Sequence, residues 1–158
     1  MQIFIKKLSI LGLILLISAC GFQLRGDIQA NFDSISISGG SSNFNKTLQR
    51  KFRQAGITIK SASEAEKIVQ IIKNDFTKTI LTLTGTGLVS EYQLDYTVSY
   101  RFKSKDGPWN LPLTIEASRT YTYDDSDILA KDEEEKRLIS GMESQIIKTM
   151  ATQISLSR

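Results

Sequence analysis

From Glu91 to Lys103 every odd position is polar, and every even position from Tyr92 to Phe102 is apolar or a tyrosine. Successive side chains of a strand point to opposite faces, so the run fits a long strand with one face buried and the other polar. A slip of one residue would turn the whole apolar set outward, which pins the register. After a turn at Lys105-Asp106-Gly107-Pro108 the alternation resumes in the opposite phase, with Leu111, Leu113, Ile115, Ala117, Arg119, Tyr121 and Tyr123 expected to face inward. Opposite phases on two runs joined by a turn are what an antiparallel hairpin over one core requires.

The flanking sequence supplies the other elements. Phe32 to Ser38 reads as a short strand with Ile35 and Ile37 on one face, and Gly39 to Ser42 as a turn. Asn43 is placed to cap a helix whose stripe is Phe44, Leu48 and Phe52, and Gly56 is placed to end it. Ile57 to Lys60 is a brief extended segment, and Ser61 to Glu66 a polar loop. Lys67 to Leu83 reads as one strand with a bulge near Asn74-Asp75, linked to the long strand by the Gly85-Thr86-Gly87 turn. Asp124 to Asp127 offers N-caps for a final helix to about Ile154, with Leu138, Ile139, Met142, Ile146, Ile147, Met150 and Ile154 as its core stripe. Gly141 inside that helix suggests a close approach to the sheet. The expected fold is α+β: a two-layer sandwich of a largely antiparallel or mixed four-stranded sheet with two helices on one face.

Absences narrow the chemistry. Histidine is missing and cysteine occurs once, which excludes His-based triads, His-ligated zinc or haem, an internal disulfide and thiolate clusters. The net charge of +3 gives no argument for nucleic acid. No GxSxG, SxxK or Walker motif occurs, so no enzyme, no metal and no cofactor is expected.

The one cysteine has a specific setting. Lys6 and Lys7 precede an apolar run from Leu8 to Ala19, the pattern of a cleaved secretory signal and too short to span ~30 Å of hydrocarbon. Ile17-Ser18-Ala19-Cys20 then matches the lipobox of bacterial lipoproteins, in which the cysteine thiol takes a diacylglyceryl group and the new N-terminal amine is acylated. Each buried CH₂ is worth ~0.8 kcal/mol, so two or three acyl chains hold a protein on a bilayer. Gly21 in place of the retention-type aspartate suggests transfer to the outer membrane. The expected organisation is signal peptide 1–19, lipidated N-terminus and tether 20–31, and a single domain 32–158. Loss of Lys6 and Lys7 leaves the mature chain close to neutral.

Three polar groups need an account. Asp124, Asp125 and Asp127 lack the glycine and terminal glutamate of a calcium loop, so capping is the better reading. The charged run Lys131–Arg137 reads as a solvated helix face with pairs such as Glu133–Arg137. Arg119 falls on the inward phase of its strand, and Lys131 in the first turns of a helix whose dipole favours anions. Arg119 either pairs with a nearby aspartate or meets a phosphate; Lys131 is either a solvated lysine or a second phosphate contact.

Four segments together resemble one family. Cys20-Gly-Phe-Gln-Leu-Arg-Gly26, Glu91-Tyr-Gln-Leu94, Arg119-Thr-Tyr-Thr-Tyr123 and Leu129-Ala-Lys-Asp-Glu133 follow, in order, the pattern of LptE, the lipopolysaccharide-assembly lipoproteins of the Gram-negative outer membrane. The resemblance covers nearly all of the mature chain. It implies a non-enzymatic, lipid-anchored, periplasm-facing protein that sits in the lumen of the LptD β-barrel as plug and assembly partner and binds lipopolysaccharide. Lys131 is the lipopolysaccharide contact that the resemblance carries over, with Arg119 second. Family members can also carry a basic residue in the hairpin turn that here is Thr84-Gly-Thr-Gly87, without a cation. The alternative class is a generic outer-membrane lipoprotein adaptor for another envelope machine or the cell wall.

Overall fold

The computed structural model describes residue 28 and residues 30–156, so the signal segment, Cys20 and most of the tether lie outside the described residues. The elements are β1 (Ser34–Gly39), α1 (Ser42–Gln54), β2 (Thr58–Ile59), β3 (Lys67–Leu83), β4 (Val89–Ser104), β5 (Leu113–Thr122), a 3-10 turn (Asp125–Asp127) and α2 (Ile128–Leu156). They form one mixed sheet in the order β2-β1-β3-β4-β5. β1 runs parallel to both β2 and β3, whereas β3, β4 and β5 are antiparallel. The α+β class holds, with five strands in place of four. The additional strand is the extended segment after α1, where Thr58 and Ile59 pair with Ser34 and Ile35. Two residues are too few for alternation to reveal a strand.

The alternating run behaves as its phase requires. Leu94, Tyr96, Val98, Tyr100 and Phe102 are all buried. Phe44, Leu48 and Phe52 of α1 meet them from one end, and Met142, Ile146, Ile147, Met150 and Ile154 of α2 cover the rest. The cap of α1 is Ser41, two residues before the expected Asn43: the Ser41 hydroxyl accepts the Phe44 N–H at 3.4 Å. Gly56 ends it with a φ of +83°, where glycine carries no Cβ penalty.

The β3 bulge falls at Ile72, a little before the expected Asn74-Asp75, since Ile71 faces Tyr100 and Lys73 already faces Ser99. The extra residue resets the phase. Asn74, Phe76, Lys78 and Ile80 consequently share the core face with Val98, Tyr96, Leu94 and Tyr92. β1 pairs with β3 only as far as Ile71. Beyond that point β3 is an edge strand, and the outer part of the β3–β4 hairpin projects with Ile72, Phe76, Ile80, Leu81, Leu83 and Leu88 exposed.

Two expectations fail locally. Leu111 precedes β5 and is 84% exposed, because Pro112 separates it from the ladder that starts at Leu113. Gly141 makes no close approach: a Cβ built there would meet nothing within 4 Å.

Candidate functional site

At the outer end of β4 the hairpin, β5 and the first turns of α2 converge. Lys131, on α2, donates to Glu134 Oε2 at 2.9 Å and to Thr122 Oγ1 at 3.3 Å, and its side chain is 19% exposed. The near Glu134 carboxylate offsets the unfavourable position of a cation at a helix start. Arg119 lies on β5 opposite Leu94 and curls over the sheet rim, donating to the Ser118 carbonyl at 2.7 Å and to Gln145 Oε1 at 2.6 Å. Its side-chain partner is an amide, not an aspartate, which relieves the inward phase without an ion pair. Gln145 lies about four helical turns along α2 from Lys131, ~21 Å at ~1.5 Å per residue. The structure does not bring Lys131 and Arg119 together.

It instead ties a third cation, Lys78, to Glu135, one helical turn along α2 from Lys131. The Lys78 ammonium lies 4.1 Å from the centroid of the Tyr92 ring and donates to Glu135 Oε2 at 2.6 Å. Tyr121 donates to the same carboxylate oxygen at 2.6 Å. Burial alone would lower the Lys78 pKa, but the hydrogen bonds with Glu135 and Tyr121 outweigh it and hold the ammonium above the ordinary lysine range. Burial would raise the Glu135 pKa, but the hydrogen bonds with Lys78 and Tyr121 outweigh it and pull the carboxyl down. The Tyr121 phenol is pushed up to about 12 by burial first and by Glu135 second. Lys78 escaped the sequence reading because its face depends on the Ile72 bulge; the only available signal was a lysine flanked by Thr77 and Thr79 in the second half of the strand.

The cluster clamps the projecting hairpin to α2. A carboxyl with a lowered folded pKa stabilises above its ordinary range, and that stability is lost as pH falls through the folded value. Glu135→Gln is therefore expected to cost about 1 kcal/mol at pH 7. The gap from the parent should close as the pH is taken below ~4.3, the ordinary glutamate value. Urea unfolding of both proteins at several pH values reads this.

The aspartate group is a cap. Asp124 Oδ1 accepts the backbone N–H of Ser126 at 2.9 Å and its hydroxyl at 2.7 Å, and these bonds lower the Asp124 pKa. Glu133 pairs with Lys136 at 2.7 Å and not with Arg137 as expected, the i,i+3 spacing giving the shorter reach here. Outward, β4 presents Glu91, Gln93, Asp95, Thr97, Ser99, Arg101 and Lys103 as a polar face. It is laced by bonds from Gln93 to Asp95 and between Ser99 and Thr114. Cys20, the expected lipidation site, lies outside the described residues.

Comparison with known proteins agrees with this architecture. A solution structure of uncharacterized lipoprotein B from Nitrosomonas europaea matches with a TM-score of 0.70 at 27% identity, over 85% of this chain and 90% of that one. The rare lipoprotein B of Shewanella oneidensis matches with a TM-score of 0.62 at 24% identity, over 76% and 95%. A minor lipoprotein of Acinetobacter baumannii gives 0.61 at 19%, over 80% and 93%, and these last two speak to the fold alone. No curated protein matches the chain. The family described as LptE, lipopolysaccharide-assembly, matches residues 31–154, from the end of the tether to the last turn of α2. With every strand, α1 and all but the last two residues of α2 inside that match, the chain belongs to the LptE family of lipopolysaccharide-assembly lipoproteins.

Proposed function

We propose that this lipoprotein is anchored by acyl chains on Cys20 in the outer membrane, faces the periplasm, and works without catalysis. It occupies the lumen of the LptD β-barrel as plug and assembly partner, and binds lipopolysaccharide there. The observation that carries the reading is the family match across residues 31–154. The physical arrangement supports it: the sheet turns a polar, hydrogen-bonded face outward, suited to a polar barrel interior, and buries its apolar face under the helices. The cations offered to the lipid phosphates are Lys131, with Lys78 at the same end of the hairpin, and Arg119 at a separate position on the rim.

Native pull-down of the tagged full chain from detergent-solubilised outer membrane is expected to recover a stoichiometric, heat-modifiable barrel. Recovery of the lipoprotein alone would turn the reading toward a generic envelope adaptor. In the same preparation, Lys131→Asp is expected to weaken lipopolysaccharide binding about ten-fold, the scale of one charge-assisted hydrogen bond. Unchanged binding removes Lys131 from the lipid contact.

A further inference from the structure

The connection between β4 and β5 carries an apolar tip. In Pro108-Trp109-Asn110-Leu111-Pro112 every residue except Asn110 is exposed, Leu111 to 84%. Single surface leucines are ordinary, whereas a run of neighbouring exposed apolar residues asks for a partner. The tip is fixed in shape. The two prolines set their own φ angles, and Asn110 stitches the middle to β4. Its Oδ1 accepts the Phe102 N–H at 2.7 Å, and its N–H returns to the Phe102 carbonyl at 3.0 Å. The Arg101 guanidinium, 4.6 Å from the Trp109 ring centroid, steadies the indole from one side. Lys103 and Lys105 flank the tip, with Asp106 as the one acid of the connection.

Its place in the domain is what singles it out. Just past the tether, the Asp33 N–H donates to Glu66 Oε2 at 3.1 Å. The Glu66 carbonyl in turn accepts the Lys105 N–H at 2.9 Å, at the start of the connection. Asn31 reaches the end of α2 through the Ser155 carbonyl, and Leu156 beyond it is 78% exposed. The tether, the tip and the end of α2 therefore share one end of the sandwich. The Lys131 cluster occupies the other. Arg101 and Glu91, the residue paired with Thr122 beside Lys131, are ~34 Å apart along β4 at ~3.4 Å per residue. With Cys20 acylated as proposed above, at most ~28 Å of chain separates the lipid from Ile28. The end that carries the tip is thus the end held near the bilayer.

We infer that the Pro108–Pro112 tip is a second membrane contact, seated in the phospholipid leaflet that holds the acyl chains. Trp109 and Leu111 enter the boundary between headgroups and acyl chains, the depth at which indole rings collect. Lys103 and Lys105 lay their stems along that boundary and keep their ammonium groups among the lipid phosphates. Asp33 and Glu66 lie at the same end, so the apolar side chains carry the contact and the charge assists it. The inference rests on the Cys20 anchor, which favours lipid over a protein groove as the occupant. A tip already tethered to the leaflet meets it as an intramolecular event, at little further entropic cost. The contact also sets orientation: a lone flexible tether lets the domain turn, whereas a second point of attachment keeps the Lys131 end away from the leaflet.

Because the chain has a single tryptophan, its emission reports on the tip directly. The acylated full chain is added to vesicles of phosphatidylethanolamine and phosphatidylglycerol, free of glycolipid and of other proteins, whose acyl chains carry bromine close to the headgroup. Flotation with the vesicles reads the anchor, and quenching of Trp109 by bromine reads the tip. Blue-shifted, quenched emission is expected, with weaker quenching when the bromine is moved to the chain end. Leu111→Asp should lower the ratio of docked to free tip by at least about ten-fold, the scale of one leucine burial, and so remove the quenching. Flotation and the unfolding midpoint should not change, since Leu111 packs on nothing in the fold. A chain that floats unquenched overturns the contact and leaves the anchor standing, and one that does not float overturns both. Wild-type quenching in Leu111→Asp also overturns it, as does burial of Trp109 only after a barrel is co-reconstituted, which assigns the tip to a protein partner.

Discussion

Gly39→Ala is expected to destabilise the domain by about 4 kcal/mol, enough to remove much of a typical domain's stability. Two costs combine. Gly39 has a φ of +73°, a conformation that costs an L-residue ~1–2 kcal/mol. A Cβ there would also stand 2.1 Å from the Ile71 carbonyl oxygen, a backbone atom of the neighbouring strand in register with Gly39. That oxygen cannot rotate away as a side chain can. The Gly39 carbonyl meanwhile accepts the Asn45 side-chain amide, so any retreat of β1 disturbs the first turn of α1 as well. Other glycines grade the explanation. Gly56→Ala, with a φ of +83° and open space around it, is expected to cost ~1 kcal/mol, and Gly85→Ala, with neither constraint, close to nothing. Equilibrium urea unfolding of the three variants checks the order; equal losses at Gly39 and Gly56 would show that the clash is absorbed.

Cys20→Ser is expected to shift the protein almost completely from the membrane to the soluble periplasmic fraction. The serine hydroxyl does not take the diacylglyceryl group, and the ~0.8 kcal/mol per buried CH₂ that anchors the chain is lost with it. Fractionation with mass spectrometry of the N-terminus reads both halves of the expectation. Membrane retention of the serine form, or an unmodified Cys20 in the parent, would end the anchor reading. The fold should be indifferent to the change. Among the described residues its first tie is Ile28, packed against the core, followed by the Asn31 side chain donating to the Ser155 carbonyl at 2.6 Å. The segment from Cys20 to Ile28 extends at most ~28 Å, so the proposed acyl anchor would hold the domain within that reach of the bilayer.

The parts of this fold legible in advance are those where a single period runs long enough to be unambiguous. The β4 alternation named its buried set residue by residue, and the α2 stripe did the same from Met142 to Ile154. What stayed hidden depends on partners distant in sequence. Thr58 and Ile59 form a strand only because β1 lies beside them, and nothing in FDSISIS announces that its neighbours are parallel. The face of Lys78 turns on one unpaired residue, Ile72, so the cluster with Tyr92, Tyr121 and Glu135 could not be assembled from spacing. Arg119 was recognised as a charge on the wrong phase, but its partner sits on α2 at Gln145, where no local pattern points. The Arg101–Trp109 pair is of the same kind, since it joins the end of one strand to the loop beyond its turn.

The interruption of β3 at Ile72 divides the sheet mechanically. On one side of it β3 is gripped by β1 and β4 and roofed by both helices; on the other its strand neighbour is β4 alone, and side-chain ties at Asn74 to Ser41 and at Lys78 to Glu135 take the place of β1. Cooperative opening follows bracing of this kind, so the blade beyond Lys78 is expected to breathe on its own while the root stays shut. Amide protons past that clamp should exchange with solvent through small, frequent excursions, and those of the root only through global unfolding.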